Sequence, residues 1–148
     1  MRLPVLVAML SLAFGSSAHA DSASGHISYG APDGLSVGLS LVSGRDSYFF
    51  DNNWGTDGAV FQLSAGTGGG RVSLGKGGVG FGVFGWAIKG TALHTWGHPV
   101  SGPPNAIYVG GEIQGSMLGR MSIGVLKSVS GPQGTPSVLV SATIGIGF

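Results

Sequence analysis

A chain of 148 residues with 30 glycines, no cysteine and a mean hydropathy of +0.37 carries 9% charged residues and a formal net charge of +1. No clustered basic excess marks a nucleic-acid binder, and without cysteine there is neither a disulfide-stapled miniprotein nor a thiolate metal site. A soluble domain ordinarily carries about a quarter charged residues to keep its surface wet, so this composition points to a chain bathed in lipid or built to aggregate.

The amino-terminus reads as an export leader, residues 1–20. Arg2 supplies the positive charge, Leu3 to Phe14 an apolar run, and Ala18, His19 and Ala20 the small-residue cleavage form. The run is shorter than the roughly 20 residues a spanning helix needs. Cleavage before Asp21 leaves one domain, residues 21–148, with six basic and six acidic residues once Arg2 is gone. Glycine in a helix interior costs about 1 kcal/mol relative to alanine, and the glycines keep no three-residue period, so the domain is read as all-β and not as helical or collagen-like.

The first strand is predicted over His26 to Gly30, followed by a turn at Ala31, Pro32, Asp33 and Gly34. Leu35, Val37, Leu39 and Leu41 then alternate with Ser36, Gly38 and Ser40 in a second strand. Residues 43–58 are expected to form a solvent-facing loop, because Arg45, Asp46, Asp51 and Asp57 concentrate charge there among Tyr48, Phe49, Phe50 and Trp54. Those aromatics fit a binding surface or a membrane–water boundary. Ala59, Phe61, Leu63 and Ala65 alternate with Val60, Gln62 and Ser64 in a third strand.

The glycine run at 66–70 lacks the lysine and following helix of a phosphate-cradling loop, so it is read as a hairpin turn. Arg71, Ser73 and Gly75 face opposite Val72 and Leu74, and a second tight turn is expected at 75–78. From Val79 to Trp96 the apolar parity slips by one residue near Val83 and Phe84, which predicts a β-bulge. A proline-broken loop follows over 94–104. Ile107, Val109, Ile113 and Met117 alternate with Tyr108, Glu112, Gln114 and Ser116, and Met121, Ile123 and Val125 with Ser122 and Gly124. After a turn-rich stretch at 130–136, Val138, Val140, Ala142, Ile144, Ile146 and Phe148 share the apolar face of a final strand, and Leu139 alone breaks its alternation.

That final strand resembles the closing strand of Gram-negative outer-membrane β-barrels, in which a terminal Phe follows apolar residues at alternate positions. The resemblance implies that Ile144, Ile146 and Phe148 form the segment read by the assembly machinery. It also implies export through the periplasm to the outer membrane, where the chain is expected to be a monomer surrounded by lipid. The pattern fits an antiparallel up-and-down transmembrane β-barrel of about eight strands, since backbone groups stay paired in lipid only in a closed sheet. Counting strands from a periplasmic amino-terminus places the 94–104 and 130–136 loops outside the cell. It also places the 43–58 loop in the periplasm, against the usual pattern of long loops outside.

On this register Arg71, Lys89, Glu112 and Arg120 point inward as a lumen charge cluster, and Lys127 lies on the lipid face near a strand end, where it snorkels to water. The cluster reads either as a structural salt-bridge network or as the lining of a selective or proton-handling pore. His26 and Ser28 share a strand face, an arrangement similar to the His and Ser of outer-membrane lipid A deacylases. With Glu112 they would activate a nucleophile for acyl hydrolysis, but Tyr29 replaces that family's following Asn and the pair lies on the first strand. His94 and His98 have helix-face metal spacing in a segment that is not helical, so no metal or cofactor is expected. The leading function is therefore a small outer-membrane barrel with a structural, surface-interaction or narrow-pore role, more readily non-enzymatic than enzymatic. The alternatives are a lipid acyl hydrolase and a secreted glycine-rich β protein that forms a coat or fibre by cross-β stacking.

Overall fold

The computed structural model describes residues 22–46, 55–80 and 84–147. Phe148 and the expected leader, residues 1–20, lie outside the described residues. Eight strands follow in order: β1 (Ser22–Ala31), β2 (Gly34–Asp46), β3 (Gly55–Gly66), β4 (Gly69–Gly80), β5 (Phe84–Thr95), β6 (Ile107–Ser116), β7 (Arg120–Ser130) and β8 (Val138–Gly147). Each pairs antiparallel with its neighbour, and β8 pairs with β1 from Ala31↔Ala142 to His26↔Gly147, so the sheet closes as an up-and-down barrel. Closure pairs the strands all the way round and leaves no open sheet edge.

The faces are inverted relative to a water-soluble domain. Ser122 is 7% exposed while its neighbour Ile123 is 52% exposed, and the same alternation runs through the strands. Ile27, Val37, Val72, Ile88, Ile113, Val125, Val140 and Ile144 look out, whereas Ser28, Ser36, Gln62, Ser73, Thr91, Gln114, Ser141 and Thr143 are buried inside. The apolar side chains that would form a core in a soluble sandwich instead form the outer wall.

Three readings change. The expected turn at 75–78 is the interior of β4, which stays in register with β5 from Gly69↔Thr95 to Gly80↔Phe84. Glycine is needed there for close approach: a Cβ at Gly75 would strike the Ile88 carbonyl, and one at Gly77 the Trp86 carbonyl. The parity slip at Val83 and Phe84 falls where β4 has ended at Gly80 and β5 begins at Phe84; residues 81–83 lie outside the described residues. The register shift that does occur lies between Ile107 and Tyr108, opposite Ser130 and Ser128. The predicted 43–58 loop shortens to the connection 47–54, outside the described residues, because β2 and β3 pair as far as Asp46↔Thr56.

One barrel end carries the β1–β2 turn (Pro32 and Asp33), the β3–β4 turn (Thr67 and Gly68) and the 96–106 and 131–137 loops; the other carries both ends of the sheet and the remaining connections. The short turns and the first long loop are tied into a lid. Asp33 O accepts from Gly68 N at 2.7 Å, Pro32 O from Val100 N at 2.9 Å and Gly68 O from Trp96 N at 3.0 Å. Trp96 donates its indole N–H to Gly66 O at 3.0 Å, and its ring fills the space where Gly70 has no side chain.

The closing seam sets a sharp test. A Cβ at Gly145 would strike the Ile27 carbonyl, while around Gly111 there is open space. Gly145→Val is expected to destabilise the barrel by about 1–3 kcal/mol, and Gly111→Ala to leave it within about 0.5 kcal/mol, both read from urea unfolding followed by tryptophan fluorescence.

Candidate functional site

The barrel interior is organised by charge. Arg71 on β4, Lys89 on β5, Glu112 on β6 and Arg120 on β7 all occupy inward positions and are buried. Glu112 joins two of the cations: its Oε2 accepts from Arg71 Nη1 at 2.5 Å and its Oε1 from Lys89 Nζ at 2.9 Å. Both side chains of the Lys89–Glu112 pair are 0% exposed. A buried charge left without a partner is strongly unfavourable, so the carboxylate and its two cations are mutually dependent.

Further bonds carry the network across the lumen. Arg71 Nη2 donates to Ser141 Oγ on β8 at 3.0 Å, and Arg120 Nη2 donates to Gln62 Oε1 on β3 at 3.1 Å. Each of these bonds joins strands half the barrel apart, since β4 lies opposite β8 and β3 opposite β7. Lys89 Nζ donates to Gln62 Oε1 at 2.5 Å and to Gln114 Oε1 at 2.8 Å.

Asp33 is the member that sequence reading missed. It sits in the β1–β2 turn, is buried, and accepts from Arg71 Nε at 2.6 Å. The Pro32–Asp33–Gly34 pattern signalled a surface turn, and nothing in its spacing told that the carboxylate folds down into the barrel. Arg71 thus connects the lid to the charge layer. Gln62 and Gln114 do carry inward parity, which was the available signal for them.

Apolar layers flank the charged one. Leu93, Ala106, Tyr108, Leu126 and Leu139 pack together on the lid side. Val42, Val60 and Ala87 pack on the side of the chain ends. The one residue that broke the alternation of the closing strand, Leu139, is therefore a piece of the lid-side layer.

His26, Ser28 and Glu112 do not form a relay. Ser28 Oγ meets Ser36 Oγ at 2.9 Å, His26 Nδ1 lies 3.3 Å from Ser40 Oγ, and Glu112 is engaged by Arg71 and Lys89. All three are buried inside the barrel. His94 is exposed at the end of β5, edge-on to Trp96 at 5.7 Å, and His98 is exposed in the following loop. Among the described residues no three His, Cys, Asp or Glu side chains gather around a common point. Ile144 and Ile146 lie on the outer face, paired with Tyr29 and Ile27 of β1; their companion Phe148 is outside the described residues.

The shared carboxylate predicts non-additive mutations. Glu112→Met leaves two buried cations short of a partner and is expected to cost about 3–5 kcal/mol. Adding Lys89→Met to it removes one orphaned cation and recovers part of that loss. Urea unfolding of the two variants and the parent measures both quantities, and strict additivity would contradict the network.

No protein-family model matches this chain, and no curated protein or solved structure matches it.

Proposed function

We propose that the chain is a small outer-membrane barrel of a Gram-negative envelope, exported by its leader and serving a structural or surface-presenting role with a side-chain-filled lumen. The observation that carries this reading is the inversion of faces on a closed sheet. In water an outer wall of Ile, Val, Leu and Phe would drive association, whereas in a bilayer the same wall is solvated and closure satisfies the backbone. Tyr29 beside the Pro32 turn, and Phe84 and Trp86 at the start of β5, put exposed aromatics toward opposite ends of the wall, as expected at two membrane–water boundaries. Lys76 and Lys127 are the outward cations of β4 and β7, and long stems let such residues reach the headgroups.

The filled interior favours a structural role over a pore. Arg71–Ser141 and Arg120–Gln62 bonds cross the lumen, apolar side chains pack on either side of them, and the connections of one end are bonded together. An ion crossing this interior has to break a buried, bonded layer. Closure of β1 on β8 also removes the free edges that cross-β stacking requires.

Cell fractionation with gel mobility of boiled and unboiled samples tests the reading. The full chain is expected in the outer membrane, with a folded form that shifts on boiling, and deletion of Phe148 is expected to reduce the assembled fraction. Ile123→Arg, on the outer wall, is expected to destabilise the inserted barrel by about 2–4 kcal/mol, while Lys127→Arg leaves it unchanged. Recovery of the full chain as soluble protein or as detergent-resistant polymer would overturn the proposal.

A further inference from the structure

The interior is short of acceptors on the side of the chain ends. Three cations, Arg71, Lys89 and Arg120, face two carboxylates, Asp33 and Glu112, among the described buried residues. Arg71 and Lys89 take the Glu112 oxygens, and Arg71 takes Asp33 Oδ2. Among the described residues Arg120, 2% exposed, has one bond, to Gln62 Oε1, and its Nε and Nη1 are buried without a partner.

Two amide groups share the deficit. Gln62 and Gln114 both turn their oxygens to Lys89 Nζ, and this fixes their orientation, leaving Gln62 Nε2 and Gln114 Nε2 buried and unbonded among the described residues. Gln114 and Arg120 are near neighbours on the inward face, since Gln114 pairs with Ser122 and Ser116 with Arg120. Gln62 reaches the same place from the opposite wall through its bond to Arg120. Lys89 and Arg120 also donate to one oxygen, so two like charges stand no farther apart than those two bonds laid end to end. A neutral acceptor cannot screen that repulsion.

We propose that the lumen holds a small monovalent anion of halide size beside Arg120, bound by the free guanidinium edge and the side-chain amides of Gln62 and Gln114. Water in the same place would satisfy the donors but leave the described buried residues one positive charge in excess, whereas an anion satisfies the donors and neutralises that charge. Its valence follows from the single unmatched charge. Its size follows from a lumen already crossed by bonded side chains, with the small residues Ser116 and Gly145 flanking Arg120. The inference rests on the interior of the closed barrel and not on where the barrel is inserted, so the two proposals fail separately.

The test uses the purified, folded full chain, with sodium bromide exchanged for sodium gluconate at constant ionic strength; gluconate is too large for the filled lumen. Raising bromide about a hundredfold through the binding range is expected to raise the thermal unfolding midpoint by about 5 °C. Arg120→Gln balances the interior charges, so it is expected to fold and to lose the bromide response, while Lys76→Gln, on the outer wall, retains it. Crystals grown in bromide are expected to show an anomalous peak beside residue 120 in the parent and none in Arg120→Gln. Equal midpoints in the two salts, an undiminished response in Arg120→Gln, or a lumen without a bromide peak would each overturn the proposal.

Discussion

Glu112 is the point on which the interior depends. A barrel whose outer wall is apolar cannot hide its polar residues on the surface, so they collect in the lumen, where burial makes each charge dependent on a neighbour. One carboxylate holds Arg71 from β4 and Lys89 from β5, and those two cations reach β8, β3 and the β1–β2 turn in their turn. Backbone pairing alone closes the sheet. The side-chain network then ties opposite walls together, and because buried polar groups must be satisfied in one particular geometry, it favours one arrangement of strands over its slipped alternatives.

The lid extends the same logic. Asp33 enters the barrel from a turn, and the backbone of that turn receives Gly68 and Val100 from two other connections. A long loop that would otherwise be free is thereby anchored to short turns, which in turn are anchored to Arg71. The apolar layer of Leu93, Tyr108, Leu126 and Leu139 packs on the same side of the barrel. Among the described residues the excess of donors falls at the chain-end side of the charge layer, around Arg120.

Much of this fold was legible because a strand with one oily and one polar face writes itself at period two. Leu35 to Leu41, Ile107 to Ser116 and Val138 to Ile146 could be placed by alternation, and the inward parity of Arg71, Lys89, Glu112 and Arg120 followed from it. Glycine was the main source of error, for it has two uses that look alike in sequence. At Gly68 it sits in the β3–β4 turn, whereas at 75–78 it marks the close approach of β4 to β5. Reading the second as a turn shortened β4 and hid the change of strand between Gly80 and Phe84. Asp33 stayed hidden for a related reason: local chemistry announces a turn, but the direction of its side chain is decided by Arg71, 38 residues away. Leu139 looked like an exception and proved to be interior packing.

The account stands on the assignment of outward side chains to lipid and inward ones to a closed interior, and methyl NMR of the full chain in lipid nanodiscs addresses it without altering a residue. A spin label carried on the acyl chains is expected to broaden the methyl signals of Ile113, Ile123 and Val140 and to spare Leu93, Leu126 and Leu139, while a water-soluble relaxation agent broadens neither set. Broadening of the outward methyls by the aqueous agent, or of the inward leucines by either one, would contradict it.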